Sequence, residues 1–393
     1  MMLMKVKQEL FLRYIVIGLS WASTFLYVPT LSTHAIALGA TGSMVGAISG
    51  GFALALILGR APAGMLSDYL GRSRGIIIAG MTAAFLAPLG MLIFPTPEGL
   101  LVFRVFSGLN AAVWPVLSMS LVDCYARERT VQIVSRCNLV NALGNIFGML
   151  LGGRLVEKFS QDAAFLGASA LGLLGLILSL RMRETHRESK IKLSFRAMME
   201  VAKDKRLIFL ALIAGVFQLV ITGTAMTFTS VLGQSLGASA EALGFLSTLS
   251  MLGMLLASMV SVFYTKLLGG VRKATATSLF LLAATSVAIG MCGNLYLLYL
   301  LQLAQGFSGY MVLIVLMGDS LLPYDDFKRG AASGVFQSVF ATGMFVGPIL
   351  SGAIYDIMPL HMLYIVLASF ACVAAVVMLL CYNRVDAGWR NVL

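Results

Sequence analysis

Twelve long apolar stretches, separated by short polar runs, make up most of this chain. Six cover residues 11–32, 42–66, 75–95, 99–122, 132–156 and 163–181, and six more cover 207–233, 242–265, 273–293, 295–320, 331–356 and 360–382. A hydrocarbon layer of about 30 Å, crossed at about 1.5 Å per residue, takes roughly 20 residues of helix, so each stretch can span a bilayer. None alternates apolar and polar positions with period two. The pattern therefore argues against a barrel of transmembrane strands and predicts helices, whose backbone hydrogen bonds close within the segment. The expected class is an all-α integral membrane protein with twelve transmembrane helices.

The two sets of six echo each other. Leu38-Gly39-Ala40-Thr41 leads into Val45-Gly46-Ala47-Ile48-Ser49, and 198 positions later Leu236-Gly237-Ala238-Ser239 leads into Leu243-Gly244-Phe245-Leu246-Ser247. At the same offset Leu54, Leu58, Leu70 and Gly71 meet Leu252, Leu256, Leu268 and Gly269. Duplicated membrane halves are a common way of building a transport site open to either side in turn. One segment breaks the apolar rhythm: residues 181–206 hold nine Lys/Arg and four Asp/Glu. The expected organisation is an N-terminal six-helix bundle over 1–180, a cytoplasmic linker over 181–206 and a C-terminal six-helix bundle over 207–393. A pseudo-two-fold axis along the membrane normal would relate the two bundles.

Composition sharpens this picture. The 393 residues are 59% hydrophobic and 11% charged, against roughly 25% charged in a soluble domain. The net charge of +11 would suggest nucleic acid if the cations were clustered on one soluble face. Instead Lys5, Lys7, Arg72, Arg74, Arg127, Arg129, the 181–206 segment, Lys266, Arg272, Lys273, Lys328, Arg329, Arg384 and Arg390 fall at one end of the spans, while the other end offers Lys158 and Arg154. That asymmetry is the positive-inside pattern. It places both termini in the cytoplasm of a cell bounded by a plasma (bacterial inner) membrane, and makes anionic lipid rather than nucleic acid the partner of the basic surface. The five cysteines, Cys124, Cys137, Cys292, Cys372 and Cys381, show no metal-ligand spacing and are expected as free thiols. No metal or cofactor is expected, and nothing calls for more than a monomer.

Three segments carry chemistry. The loop after the second stretch reads Gly64-Met65-Leu66-Ser67-Asp68-Tyr69-Leu70-Gly71-Arg72-Ser73-Arg74. The fourth stretch reads Arg104-Val105-Phe106-Ser107-Gly108-Leu109-Asn110, followed by Trp114-Pro115. The fifth carries Gly144, Gly148, Gly152 and Gly153, echoed 199 residues later by Gly343, Gly347 and Gly352. Together these resemble the signature loop, the fourth-helix arginine motif and the fifth-helix glycine motif of the major facilitator superfamily. Departures are visible: Tyr69 stands where the family usually has a base, Met149 where the glycine motif has the proline that Pro348 supplies in the echo, and Lys266 and Val262 where the second half would repeat Asp68 and Gly64. The resemblance implies a conformational latch at Gly64, Asp68, Gly71, Arg72 and Arg74, and cytoplasmic gate charges at Asp123, Arg129, Asp319 and Arg329. In physical terms an anion at a tight turn can face a helix N-terminus or pair with Arg72.

Arg104 is the deepest charge, and its echo is the neutral Gln302. A guanidinium inside a span costs several kcal/mol unless it meets water, protein or a partner. The resemblance implies that helices 1, 4, 7 and 10 face the path, which nominates Trp21, Tyr27, Arg104, Asn110, Trp114, Gln218, Gln302 and Tyr310 for substrate or proton handling. Thr24 and Thr222 lie beside them. Polar and aromatic groups together suit an amphipathic organic solute. No Asp, Glu or His lies near the centre of a span, so a coupling proton would use the edge carboxylates Asp68, Asp123 and Asp319 or the substrate itself. An enzyme would need a carboxylate pair, a metal cluster or an activated nucleophile at depth, and none is legible. The expected function is transport of a small organic solute by alternating access, leaning to proton-coupled efflux. Uptake or facilitated diffusion of an organic anion is the alternative, and a non-transporting receptor on a transporter fold is the alternative of another class.

Overall fold

A computed structural model describes residues 2–122, 130–184, 199–324 and 326–390, together with their side chains except those of 2–8, 61, 68, 130, 131, 326, 327 and 387–390. Among the described residues twelve helices are long and apolar enough to cross a membrane. They are α1 (Glu9–Ala37), α2 (Gly42–Ser67), α3 (Arg74–Ile93), α4 (Pro97–Val122), α5 (Gln132–Lys158), α6 (Gln161–Arg181), α7 (Lys205–Ser235), α8 (Ala240–Leu267), α9 (Val271–Gly290), α10 (Leu295–Leu321), α11 (Lys328–Ile357) and α12 (Leu360–Asp386). The spans expected from the sequence are all present. The first runs on to Ala37 rather than stopping at 32, because Pro29 sits in the first turn of a new helical piece, where its missing N–H costs nothing.

The chain forms two compact units. One draws on residues Met1–Ala40, Gly51–Lys192 and Ser239–Phe245, the other on Thr41–Gly50, Leu193–Ala238 and Leu246–Leu393. Each unit thus takes the first turns of one helix, α8 or α2, from the opposite half of the sequence. The repeat is visible in the backbone. Positive φ angles occur at Gly39 (87°) and Gly237 (85°), and at Gly71 (60°) and Gly269 (76°), two pairs at the 198-residue offset. A side chain in that left-handed conformation would be strained, so these four turns need glycine.

Glycines also set how closely helices approach. In the first unit a Cβ on Gly144 would lie 2.7 Å from the carbonyl oxygen of Gly18, and one on Gly148 2.5 Å from that of Ala22, so α5 rests directly on the backbone of α1. In the second unit Gly343 and Gly347 of α11 meet the carbonyls of Gly215 and Leu219 on α7 in the same way. Without a hydrophobic force between helices in lipid, such backbone contact is a main source of packing energy. Gly148→Val should therefore separate α5 from α1 and cost about 1–3 kcal/mol, the usual range for overpacking. The measurement is thermal melting of the purified protein in detergent, and an unchanged melting temperature would show that the contact gives way freely.

Three helices are interrupted. α1 breaks at Tyr27, between helices Met2–Leu26 and Val28–Ala37. α4 breaks at Val113, between Pro97–Ala112 and Trp114–Val122. Pro29 and Pro115 each lack the N–H that the carbonyl four residues earlier would accept, and each ring crowds that carbonyl. α7 contains a π-helical turn over Thr224–Phe228. The hydroxyls of Thr224 and Thr227 bond the carbonyls of Val220 and Thr222, each at 2.7 Å, which satisfies groups that the widened turn releases.

Candidate functional site

The first unit gathers its site residues around the breaks in α1 and α4. Arg104 lies seven residues into α4, about 10 Å along it, and is only 6% exposed. Its Nη1 donates to the Tyr27 hydroxyl at 3.3 Å and to Ser107 Oγ at 3.4 Å. The guanidinium carbon stands 4.5 Å over the Phe52 ring and 5.5 Å over that of Tyr27, within the reach of cation–π attraction. Among the described residues no carboxylate pairs with it, and its Nε has no acceptor. The cation is held by rings and hydroxyls, which leaves donor capacity for an anion or an acceptor. Asn110 knits α4 to α1 through Ser20 Oγ at 2.9 Å and Thr24 Oγ1 at 3.0 Å. Trp21 meets Trp114 edge-on at 5.7 Å and Phe25 at 5.9 Å.

The second unit holds a different set. Gln302 is fully buried, and neither amide atom has a hydrogen-bond partner. One turn on, Gln305 donates to Ser286 Oγ at 2.9 Å and Thr224 Oγ1 at 3.2 Å, while its Oε1 remains unpartnered. Gln305 is absent from the set expected from the sequence. Its spacing from Gln302 on one face of α10 and its repeat relation to Ser107, the Arg104 neighbour, were the available signals. Gln218 and Thr222 are buried on α7, and Tyr310 packs edge-on against Phe217 at 5.7 Å.

In the loop after α2, Gly71 has the positive φ that ends the helix, and Arg72 is exposed. The Asp68 side chain lies outside the described residues, as do Asp123 and Arg129. The carboxylate seen capping α3 is that of Glu184, whose Oε1 accepts the N–H groups of Ser73 at 2.9 Å and Arg74 at 3.0 Å. Arg74 also reaches the Leu180 carbonyl. Among the described residues nothing lies within 4 Å of where a Cβ on Gly64 would be. Beside this loop is a cavity of about 590 Å³, lined among others by Leu66, Ile76, Leu109, Arg72 and Glu184.

Asp319, expected as a gate charge, has partners that the sequence pattern did not indicate. It is 9% exposed. Its Oδ2 accepts from Arg206 Nη2 at 2.7 Å and from the Tyr382 hydroxyl at 3.1 Å, and Arg206 also binds Asp386 at 3.1 Å. Arg329 donates to the Tyr324 carbonyl at 3.2 Å. Nearby, the Tyr324 hydroxyl bonds Asp204, and burial together with that carboxylate pushes the phenol above its ordinary range. Arg206 Nη1 donates to the Asp319 backbone carbonyl at 3.2 Å. In the first unit Arg13 Nη1 donates, also at 3.2 Å, to the carbonyl of Ser120, the residue 199 positions before Asp319. These arginines anchor repeat-related helix ends. They do not share the common repeat offset, and while Arg13 lies just inside an apolar stretch, Arg206 closes the charged linker that precedes one.

Comparison with known proteins gives a consistent result. The family model described as Major Facilitator Superfamily matches residues 13–233 and 210–391. The chain is 25% identical over 392 residues to an uncharacterized MFS-type transporter of Methanocaldococcus jannaschii, covering 93% of this chain and 97% of that one. It is 22% identical over 366 residues to the quinolone resistance protein NorA of Staphylococcus aureus, covering 89% and 90%. Among solved structures it is similar to the nucleoside transporter NupG, with a TM-score of 0.78 at 17% identity over 95% of this chain and 98% of that one. It is also similar to an inward-facing bacterial homolog of the human lysosomal transporter Spinster, with a TM-score of 0.74 at 16% identity over 97% and 96%.

Proposed function

This chain belongs to the Major Facilitator Superfamily, and from that premise we propose that it exports a small amphipathic organic solute by alternating access, driven by protons moving the other way. It is an integral membrane transporter rather than an enzyme. The observation that carries the solute class is Gln302, a fully buried amide whose donor and acceptor both lack protein partners. A buried polar group left unpaired costs about 1–3 kcal/mol, so the position makes sense where a solute or its water completes the bonding. Within the first unit, Trp21, Trp114 and Tyr27 with Arg104 supply apolar and electron-rich groups suited to the same solute class. The outward direction rests on the likeness to a quinolone resistance protein.

The coupling proton belongs on Asp68, Asp123 or the solute rather than on Asp319. The Asp319 carboxylate is tied to Arg206 at 2.7 Å, and protonation would leave that guanidinium with a weaker partner in a poorly solvated place. The latch residues Gly64, Asp68, Gly71, Arg72 and Arg74 then turn proton uptake into a change of state. The test is efflux of a fluorescent fluoroquinolone from proteoliposomes under an imposed pH gradient, with a protonophore control. Gradient-driven efflux is expected, slowed in Asp68→Asn at equal protein level and retained in Asp319→Asn. Transport that ignores the gradient would leave facilitated diffusion as the function, and coupling lost only in Asp319→Asn would move the proton to that residue.

A further inference from the structure

The first N–H groups of any helix have no partner within it. At the start of α2 the Thr41 hydroxyl accepts from Met44 N at 3.2 Å, a local cap. A second cap comes from 314 residues away: the Asp356 carboxylate accepts from Gly42 N at 2.6 Å, Ser43 N at 2.8 Å and Ser43 Oγ at 2.5 Å. The start of α8 repeats both parts. Ser239 Oγ accepts from Ala242 N at 3.3 Å, and Glu157 Oε2 accepts from Ala240 N at 2.8 Å. Thr41 and Ser239 are 198 residues apart, and Glu157 and Asp356 are 199 apart, the offsets of the sequence repeat. Arg154, one turn before Glu157, adds an exposed ion pair to Glu241 at 2.7 Å.

The local hydroxyl caps suffice to begin a helix. The remote carboxylates do something else: they tie the start of α2 to the end of α11, and the start of α8 to the end of α5. The surfaces they bring together meet at glycines. A Cβ on Gly42 would fall 2.7 Å from the Gly352 carbonyl and equally close to the Tyr355 ring, and one on Gly244 2.6 Å from the Met149 carbonyl and 3.2 Å from Gly153 Cα. Contacts made largely by backbone can part and meet again with little side-chain repacking. Asp356 and Ser43 are exposed, and solvated charged bonds of this kind have small net strength, so their rupture is cheap.

We propose that Asp356 and Glu157 are repeat-related clasps that hold the starts of α2 and α8 in one state of the transport cycle and release them in the other. The proposal rests on the alternating-access reading above. It gives α2 a switch at each end, since the Gly42 clasp and the Asp68 loop stand about 40 Å apart along the helix.

Two measurements test it. Amide hydrogen exchange at Gly42 and Ser43 should quicken by roughly three- to tenfold in Asp356→Asn, the factor for one hydrogen bond at a solvated site, while exchange mid-helix stays unchanged. In a background with its five cysteines replaced by serine, joining Ser43→Cys to Asp356→Cys with a short reducible thiol crosslinker should stop transport, and reduction should restore it. A crosslinked protein that transports at the unlinked rate overturns the proposal, because the contact then never needs to open. Wild-type protein that moves no solute would instead remove the proposed function. The exchange experiment still decides the clasp in that case, since equal rates in wild type and Asp356→Asn would show that the carboxylate holds nothing.

Discussion

Arg206→Met is expected to destabilise the second unit by about 3–5 kcal/mol, the usual cost of removing one member of a buried ion pair. The substitution keeps most of the side chain's length but takes away the bonds to Asp319 Oδ2 at 2.7 Å, to Asp386 at 3.1 Å and to the Asp319 carbonyl at 3.2 Å. Asp319 would then be a carboxylate 9% exposed with only the Tyr382 hydroxyl among these partners. The penalty is mostly that stranded charge, so a compensating change distinguishes it from lost packing. Arg206→Met with Asp319→Leu should regain much of the stability, because a buried pair replaced by apolar groups of similar volume is often neutral. Thermal melting in detergent across the two single variants and the double variant reads the cycle. A double variant as unstable as Arg206→Met would show that the arginine acts through the helix-end carbonyl instead.

Arg104→Gln should lower transport by roughly 10- to 150-fold, which corresponds to losing one charge-assisted hydrogen bond of about 1.5–3 kcal/mol. Glutamine is the residue that the repeat places at Gln302, so the change removes charge while keeping a polar group at that depth. The structure gives the guanidinium hydroxyl and ring partners in Tyr27, Ser107 and Phe52, and these would survive as a polar pocket. Stability should therefore change far less than transport. Initial rates over a range of solute concentrations separate a weakened site from a slowed cycle. Normal rates with a lowered melting temperature would reduce Arg104 to an element of packing.

The fate of the acidic residues shows why part of the site was legible and part was not. Arg104 stood out because a cation at that depth is anomalous in any apolar span, whatever surrounds it. Its pairing with Tyr27 also follows from helices that the resemblance had already placed together. The partners of Asp319 did not stand out. Asp386 is 67 residues from it and Arg206 is 113 residues away, and no local pattern links them. Glu184 looked like one charge among many in a basic linker, yet it caps α3. Asp356 and Glu157 stand at the ends of apolar stretches, where nothing in the local pattern marks them.

The sequence by itself determined the solvent, the element type and the duplication. Those properties are local or periodic: the length of an apolar run, the absence of period-two alternation, and a glycine wherever a turn needs positive φ. They are fixed by the backbone's need to satisfy its own hydrogen bonds in lipid, which leaves helix once the missing alternation rules out a barrel. Only the tertiary structure decided which carboxylate meets which donor. It also decided where α1, α4 and α7 break, that Gln302 is left without partners, and that α2 and α8 begin against helices from the other half of the sequence. A hydrogen bond needs its atoms within about 3 Å and well aligned. Whether helix ends more than 80 or 300 residues apart come that close depends on how every intervening helix packs, and no single stretch of sequence carries that information.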